Sequence, residues 1–428
     1  MNPLARLSAT EAARRIAAGT LTAEAYVAAH LERIAERDRA VQAFVSLDTD
    51  FAHAQARAID RTRPPGPLAG VPVAFKDVID TCDLPTQYNS PIYAGHRPRT
   101  DAACVALVRQ AGGIVLGKTV TTEFATRTPG PTRNPHDLEY TPGGSSSGSA
   151  AAVADFMAPL AFGTQTGGSN IRPAAYCGIV GYKPSFNTIN RAGLKPLAES
   201  LDTLGVMARS VEDCALLVHA TSQRPLPDFA RRLQRPPRIG LHRTSRWADA
   251  SPDTHALIER VAACFARAGA TIVEATLPAA YDRLYDDQLL IMNYEGARAF
   301  AHELRTTPEL LSAELQNNLR EYGSRPRADY DDAMAHRRTC ETGFADAMGD
   351  CDVWLTPSAP GVAPKGIDYT GSPLFNRNWT MLGVPCITLP AGRGEANLPL
   401  GIQLVARRED DERLLRCAHW AELQLREL

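Results

Sequence analysis

Short apolar runs punctuated by turn residues recur along this chain, and helical stretches separate most of them. The runs are Val71–Phe75, Ile114–Leu116, Pro159–Phe162, Ile239–Leu241, Val353–Leu355, Ile387–Leu389 and Ile402–Val405. Val41, Ala43, Val45 and Leu47 add an alternating strand. Between them lie helical segments such as Ala102–Ala111, Ser210–Ala220, Thr254–Ala268 and Asp411–Leu423. Strands that alternate with helices predict an α/β fold with a large, mostly covered sheet. At the N-terminus Ser8-Ala9-Thr10-Glu11 is a capping box for a helix ending near Gly19, and Thr22 caps a second helix carrying Val27, Leu31 and Ile34 on one face. The run Arg63-Pro64-Pro65-Gly66-Pro67 is a rigid break before Val71–Phe75. Arg224–Pro237 reads as a long surface crossover, and Gln288–Gly349, mainly helical and polar, as an inserted cap.

Composition excludes several function classes. Lys+Arg total 46 and Asp+Glu 48, a formal charge of −2, so the chain has no electrostatic footprint for nucleic acid or an anionic membrane. With 44% hydrophobic and 22% charged residues it is not disordered in bulk. No apolar run reaches the roughly 18 residues of a membrane-spanning helix. The first residues have no apolar core and no small-residue cleavage pattern, so no signal peptide is expected and a cytoplasmic location is. The nine cysteines are odd in number and form no C-x-x-C, which predicts scattered reduced thiols. The ten histidines form no H-E-x-x-H or H-x-H cluster, so no metal is expected.

Composition changes most over residues 141–185. Two Gly/Ser loops, Gly143-Gly144-Ser145-Ser146-Ser147-Gly148 and Gly163-Thr164-Gln165-Thr166-Gly167-Gly168-Ser169, flank an Ala-rich helix and a short strand. Consecutive amides in such turns form a nest for anions, and glycine lets a ligand come close. Three readings compete: a flexible linker, a phosphate loop, and a nucleophilic serine facing an oxyanion hole. A linker does not normally enclose an apolar helix–strand unit, and neither phosphate-loop pattern, G-x-x-x-x-G-K-[ST] or G-x-G-x-x-G, is present. For a serine nucleophile the usual base is histidine, yet no histidine lies near either loop and G-x-S-x-G is absent. Lysine is the known variant, and Lys76 ends the apolar Val71–Phe75 run, where desolvation lowers an amine's pKa.

These residues resemble the amidase signature family. The matches run in order through Gly70-Val71-Pro72-Val73-Ala74-Phe75-Lys76-Asp77, Gly117-Lys118-Thr119, both Gly/Ser loops, Pro173-Ala174-Ala175, Gly181-Tyr182-Lys183-Pro184, Ser200-Leu201-Asp202 and Arg209-Ser210-Val211-Glu212-Asp213. They continue to Gly383-Val384-Pro385 and Leu398-Pro399-Leu400-Gly401-Ile402-Gln403, so the resemblance covers nearly the whole chain. It implies a single amidase signature domain over 1–428, with N-terminal helices at 1–60, a signature core at 61–220 and a C-terminal part with a helical cap at 221–428. The implied fold is a large mixed sheet surrounded by helices.

The resemblance also implies a Ser–cis-Ser–Lys triad. Ser169 would be the nucleophile, Ser145 the bridging serine after a cis Gly144–Ser145 peptide, and Lys76 the base. The N–H groups of Thr166, Gly167, Gly168 and Ser169 would form the oxyanion hole. No metal or organic cofactor is implied. Gly143, Gly144, Asn170 and Arg172 are expected at the substrate. Gln165 stands where most members carry Asp, and Arg172 follows the nucleophile by three positions rather than two. That order is similar to a malonamidase-like subgroup, in which such an Arg recognises a substrate carboxylate. The alternative is that Arg172 pairs with a protein carboxylate, Glu123 or Asp202. Tyr294, Glu295, Asn376, Arg377 and Trp379 lie in segments that line the pocket in relatives. Glu123, Asp202 and Arg209 are expected to be structural, the last two as a network near the triad, and Cys177 to be packed core. The expected activity is hydrolysis of a small carboxamide, with carbamates or esters within the same chemistry, and the family is commonly homodimeric. The alternatives are the amidase subunit of a tRNA-dependent amidotransferase and a non-catalytic scaffold.

Overall fold

The computed structural model describes residues 1–63 and 66–426, so Pro64 and Pro65 of the proline-rich break lie outside the described residues. Eleven strands form one mixed sheet. They are β1 (Phe44–Leu47), β2 (Pro72–Lys76), β3 (Ile114–Thr119), β4 (Leu160–Gln165), β5 (Val180–Lys183), β6 (Thr203–Ala208), β7 (Arg238–Leu241), β8 (Thr271–Glu274), β9 (Val353–Pro357), β10 (Cys386–Arg393) and β11 (Pro399–Val405). Their spatial order is β1-β3-β2-β4-β6-β5-β10-β11-β9-β7-β8. Parallel pairing joins β2 to β3 and β4, and β7 to β8 and β9, while antiparallel pairing carries the sheet through its middle. Strands β2, β3, β4, β6, β9 and β11 are buried along their whole length. This is the covered α/β sheet expected from runs without alternation.

The helices fall where the capping and periodicity signals place them. Ser8 accepts from the Glu11 N–H at 3.1 Å and opens the helix Ala9–Ala17, and Thr22 accepts from Ala25 N at 3.1 Å and opens Ala23–Val41. That second helix runs through Val41 and ends at Gln42 in the left-handed region, so the alternating segment contributes only Phe44–Leu47 as strand. The segment after the helix Val211–Ser222 crosses to β7 without regular structure. Between β8 and β9 the helices Leu284–Ala299, Ala301–Thr306, Ala313–Gly323 and Arg327–Met348 form the cap. All nine cysteines are free thiols. Among the described residues no helix is long and apolar enough to cross a membrane.

The register of β2 against β4 positions the site. Val73 faces Leu160 and Phe75 faces Phe162, whose rings stack with centroids 5.4 Å apart. Lys76 and Thr164, just beyond these pairs, therefore come side by side at the same edge of the core.

Candidate active site

Lys76 emerges from the end of a strand buried on both faces, and its side chain is fully buried. Its Nζ lies 2.6 Å from Ser145 Oγ and 2.6 Å from Thr164 Oγ1. Among the described residues the lysines in ion pairs are Lys118, Lys195 and Lys365, and Lys76 is not one of them. Burial pushes its pKa well below the ordinary 10.5; Asp202 pulls in the opposite sense and the Arg172 charge adds to the fall. The Gly144–Ser145 peptide is cis. Arg172 Nη2 donates to the Gly144 carbonyl at 2.5 Å, which fixes the entry to Ser145.

The turn after β4 has a divided backbone. Its carbonyls are all held: Thr166 O accepts from Gln288 Nε2 at 2.9 Å, and Gly167 O from Thr380 Oγ1 at 2.8 Å. Gly168 O accepts from Arg172 N at 3.0 Å, and Ser169 O from Ser146 N at 3.3 Å. Among the described residues none of the four corresponding N–H groups donates to a protein acceptor. All four residues line a cavity of about 250 Å³, roofed by Gln288, Met292 and Leu315 of the cap. Backbone donors left free beside a cavity are what an oxyanion requires. Ser169 Oγ makes no hydrogen bond to another described residue.

Gln165 shapes this turn. Its Oε1 accepts from both Asn170 N and Ile171 N at 3.0 Å, and its Nε2 donates to Thr380 Oγ1 at 3.1 Å. An amide can do both jobs at once, whereas an ionised carboxylate only accepts. Asp202 braces the same turn from behind, accepting from Thr166 Oγ1 at 2.5 Å and from the Leu197 and Ala198 amides at 2.8 and 3.0 Å.

Several expected contacts are placed otherwise. Asn170 is not at the cavity. Its amide turns into the sheet and donates to Tyr182 O at 3.1 Å and Val206 O at 3.3 Å, against the glycines of β4 and β6. A Cβ at Gly205 would lie 2.5 Å from Asn170 Cγ, so the absence of a side chain there makes room for it. Gly143 and Gly144 do not line the cavity either, because Pro173 and Tyr176 back the first and Thr370 the second. Arg172 pairs with neither Glu123 nor Asp202. Its Nε donates to Thr370 O at 2.8 Å, Nη2 holds Gly144, and Nη1 has no protein partner. Glu123 accepts from Ser312 N at 3.0 Å and so ties the cap to the core. Arg209 donates to Leu7 O at 2.8 Å and joins the N-terminal segment rather than the Asp202 network.

Of the pocket candidates from distant segments, Arg377 lines the cavity. Tyr294 stacks on Tyr330, Glu295 accepts from Tyr330 Oη at 2.8 Å, Trp379 packs against Trp354, and Asn376 donates to Ser358 O at 2.9 Å. Cys177 is fully buried. The sequence reading missed Thr164, Gln288, Thr370 and Thr380. Only Thr164 lay inside a recognisable motif; the others come from segments without a motif. Among the described residues one group, Cys82, Asp83 and Asp101, is close enough to share an ion, and Arg109 already pairs with both carboxylates.

Comparison with known proteins gives first the class: solved amidases share this fold, and the protein is a hydrolase acting on carbon–nitrogen bonds. The chain belongs to the Amidase family, whose family model matches residues 25–415. It is 34% identical to a glutamyl-tRNA(Gln) amidotransferase subunit from Cupriavidus metallidurans, over 96% of this chain and 95% of that one. The corresponding subunit from Thermobifida fusca is also 34% identical, over 100% and 97%. Among solved structures, the peptide amidase of Stenotrophomonas maltophilia superposes with a TM-score of 0.87 at 30% identity, covering 99% of this chain and 98% of that one.

Proposed function

We propose that the protein hydrolyses the C–N bond of a small carboxamide through an acyl-enzyme on Ser169. The observation that carries this is the turn of four held carbonyls and four free N–H groups beside a buried lysine that has hydroxyl neighbours and no carboxylate in an ion pair with it. As the substrate carbonyl seats against Thr166, Gly167, Gly168 and Ser169, Ser169 Oγ turns to Ser145. Its proton passes to Ser145 Oγ while the Ser145 proton passes to Lys76 Nζ, and Ser169 Oγ bonds to the carbonyl carbon. The oxyanion is held by the free N–H groups. On collapse the C–N bond breaks, the proton returns through Ser145 to the leaving nitrogen, and ammonia or an amine departs. Water then cleaves the ester by the same relay and leaves Lys76 neutral. The scheme needs no metal or organic cofactor, and carbamates or esters fit the same steps. Nine free thiols support a reducing, cytoplasmic setting for it.

The names of the curated relatives favour a second reading, an amidase subunit working within a tRNA-dependent amidotransferase. The alignment to one of them spans 478 positions, while this chain has 428 residues, so at least fifty positions of that relative face a gap. The test is the purified chain alone, offered a panel of amides. Release of ammonia or amine together with acid, lost in Ser169→Ala, is the expected result. No release by the lone chain, with release restored by partner subunits, would favour the second reading. Fluorophosphonate labelling of a residue other than Ser169 would overturn the scheme.

A further inference from the structure

The cavity at Ser169 is lined by three arginines, and their pairing differs. Arg127 has a carboxylate, Glu314, at 3.3 Å. Arg377 has none: its guanidinium forms no ion pair and no hydrogen bond with a described residue, and its Nε is buried without a partner. Burial lowers its pKa and the Arg127 charge adds to that, while Asp286, outside ion-pair distance, pulls in the opposite sense. Arg172 faces the same cavity, 4% exposed, with Nη1 buried and unpartnered and with no carboxylate against it. Burial pulls its pKa down to about 10, and the Arg377 charge contributes to the fall. The acids on the cavity wall are Glu314, already paired with Arg127, and Asp368, which sits exposed at the rim.

Two desolvated guanidiniums that repel one another, in a cavity whose wall leaves them unpaired, make an unfavourable arrangement for an empty site. An anion from outside relieves it. Arg172 already uses Nε and Nη2 to hold Thr370 and Gly144, so only one of its nitrogens is available. Arg377 has its whole planar fork free, and that geometry matches a carboxylate. We propose that Arg377, beside the free edge of Arg172, forms a carboxylate subsite, and that the substrate is an amide carrying a carboxylate away from the scissile bond. This rests on the reading of Ser169 as an amide-cleaving nucleophile. The free N–H groups and Arg377 line the same cavity and would then hold two groups of one short molecule.

Calorimetric titration of the full chain with succinate, glutarate and adipate, each against its neutral diamide, tests the subsite without relying on turnover. At least one dicarboxylate should bind more tightly than its diamide. Arg377→Gln should weaken that binding roughly 10–100-fold, as expected for a lost charge-assisted pair, and leave diamide binding unchanged. Arg377→Lys should restore part of it. Because Arg377 makes no protein hydrogen bond, Arg377→Gln should melt no lower than the parent, which separates a binding role from a structural one. Equal binding of diacids and diamides, or an unchanged diacid affinity in Arg377→Gln, overturns the proposal. Fluorophosphonate labelling of Ser169 in the same samples reports on the nucleophile independently; its failure would defeat the hydrolytic scheme whatever the diacids do.

Discussion

Thr380 offers the sharpest test of how the oxyanion turn is held. It is 1% exposed, and its hydroxyl sits between Gln165 Nε2 at 3.1 Å and Gly167 O at 2.8 Å. Valine has nearly the same shape without the hydroxyl. Thr380→Val therefore strands two buried groups, the Gln165 amide and the Gly167 carbonyl. Each unsatisfied group costs about 1–3 kcal/mol, so the variant should lose about 2–6 kcal/mol of stability. The functional cost is separate. With Gly167 no longer anchored, the adjoining N–H groups lose their aim at the oxyanion. A missing donor is worth roughly 2.7–4 kcal/mol of transition-state stabilisation, and a displaced one less, so kcat should fall roughly 10–1,000-fold with KM changing much less. Urea melts give the first quantity. The rate of Ser169 labelling by a fluorophosphonate gives the second without a known substrate, and Thr380→Ser should recover both. A Thr380→Val protein that loses stability as expected yet labels at the parental rate would refute the claim that this hydroxyl positions the turn.

Ser169→Ala should abolish labelling and leave the melt close to that of the parent, since Ser169 Oγ makes no hydrogen bond to another described residue. Lys76→Met should lose turnover almost completely, read as kcat on whichever amide the parent cleaves. It should also change the pH dependence of stability. Lys76 binds its proton more weakly folded than unfolded, so between its depressed value and 10.5 the unfolded chain holds more protons. Stability should therefore rise with pH across that window, and the rise should be missing in Lys76→Met. The same titration gives the parent an ascending limb of kcat/KM as Lys76 deprotonates. Gly205→Ala, whose Cβ would lie 2.5 Å from Asn170 Cγ, should cost about 1–3 kcal/mol by overpacking and slow Ser169 labelling, because Asn170 follows the nucleophile.

The sequence discloses this site unevenly, for physical reasons. Lys76, Ser145 and Thr166–Ser169 are local: a buried strand end and two glycine-rich turns, each written in a few consecutive residues. Strands β5, β6 and β8 escaped the pattern. In the first two, Gly181 and Gly205 interrupt the continuous apolar run that marks a buried strand, and β8 is a half-exposed edge. Asn170 misleads because position along the chain says nothing about direction. It follows Ser169 immediately, but the turn sends its amide into the sheet while Ser169 faces the cavity. Thr380 and Gln288 could not be found from motifs at all. Each is a common residue in a common helix, and its role exists only because the sheet brings the C-terminal half and the cap against the turn. Arg172 was visible, but its partners were not: backbone carbonyls at Thr370 and Gly144 leave no sequence signal.

Three buried lysines in this molecule show why Lys76 can be the base. Each lies at or near the end of a strand and is fully buried, and burial lowers the pKa of all three. Their neighbours differ. Lys118 lies 3.1 Å from the Asp77 carboxylate and also donates to the Thr86 hydroxyl. Lys183 donates to Val384 O at 2.6 Å and Pro184 O at 3.1 Å. Carbonyls can only accept, so the Lys183 site offers nothing to a neutral amine's lone pair, and at Lys118 the Asp77 carboxylate rewards an amine that keeps its protons although one hydroxyl is also in reach. Lys76 alone of the three is bounded by two hydroxyls, Ser145 and Thr164. A hydroxyl can give as well as take. A neutral Lys76 can donate to Thr164 Oγ1 while its lone pair accepts the Ser145 proton, and that direction leaves a Ser145 lone pair free for the proton of Ser169. Burial alone would serve any of the three lysines; what sets Lys76 apart is that its surroundings remain satisfied whether or not it carries the extra proton, which is the condition a proton relay has to meet.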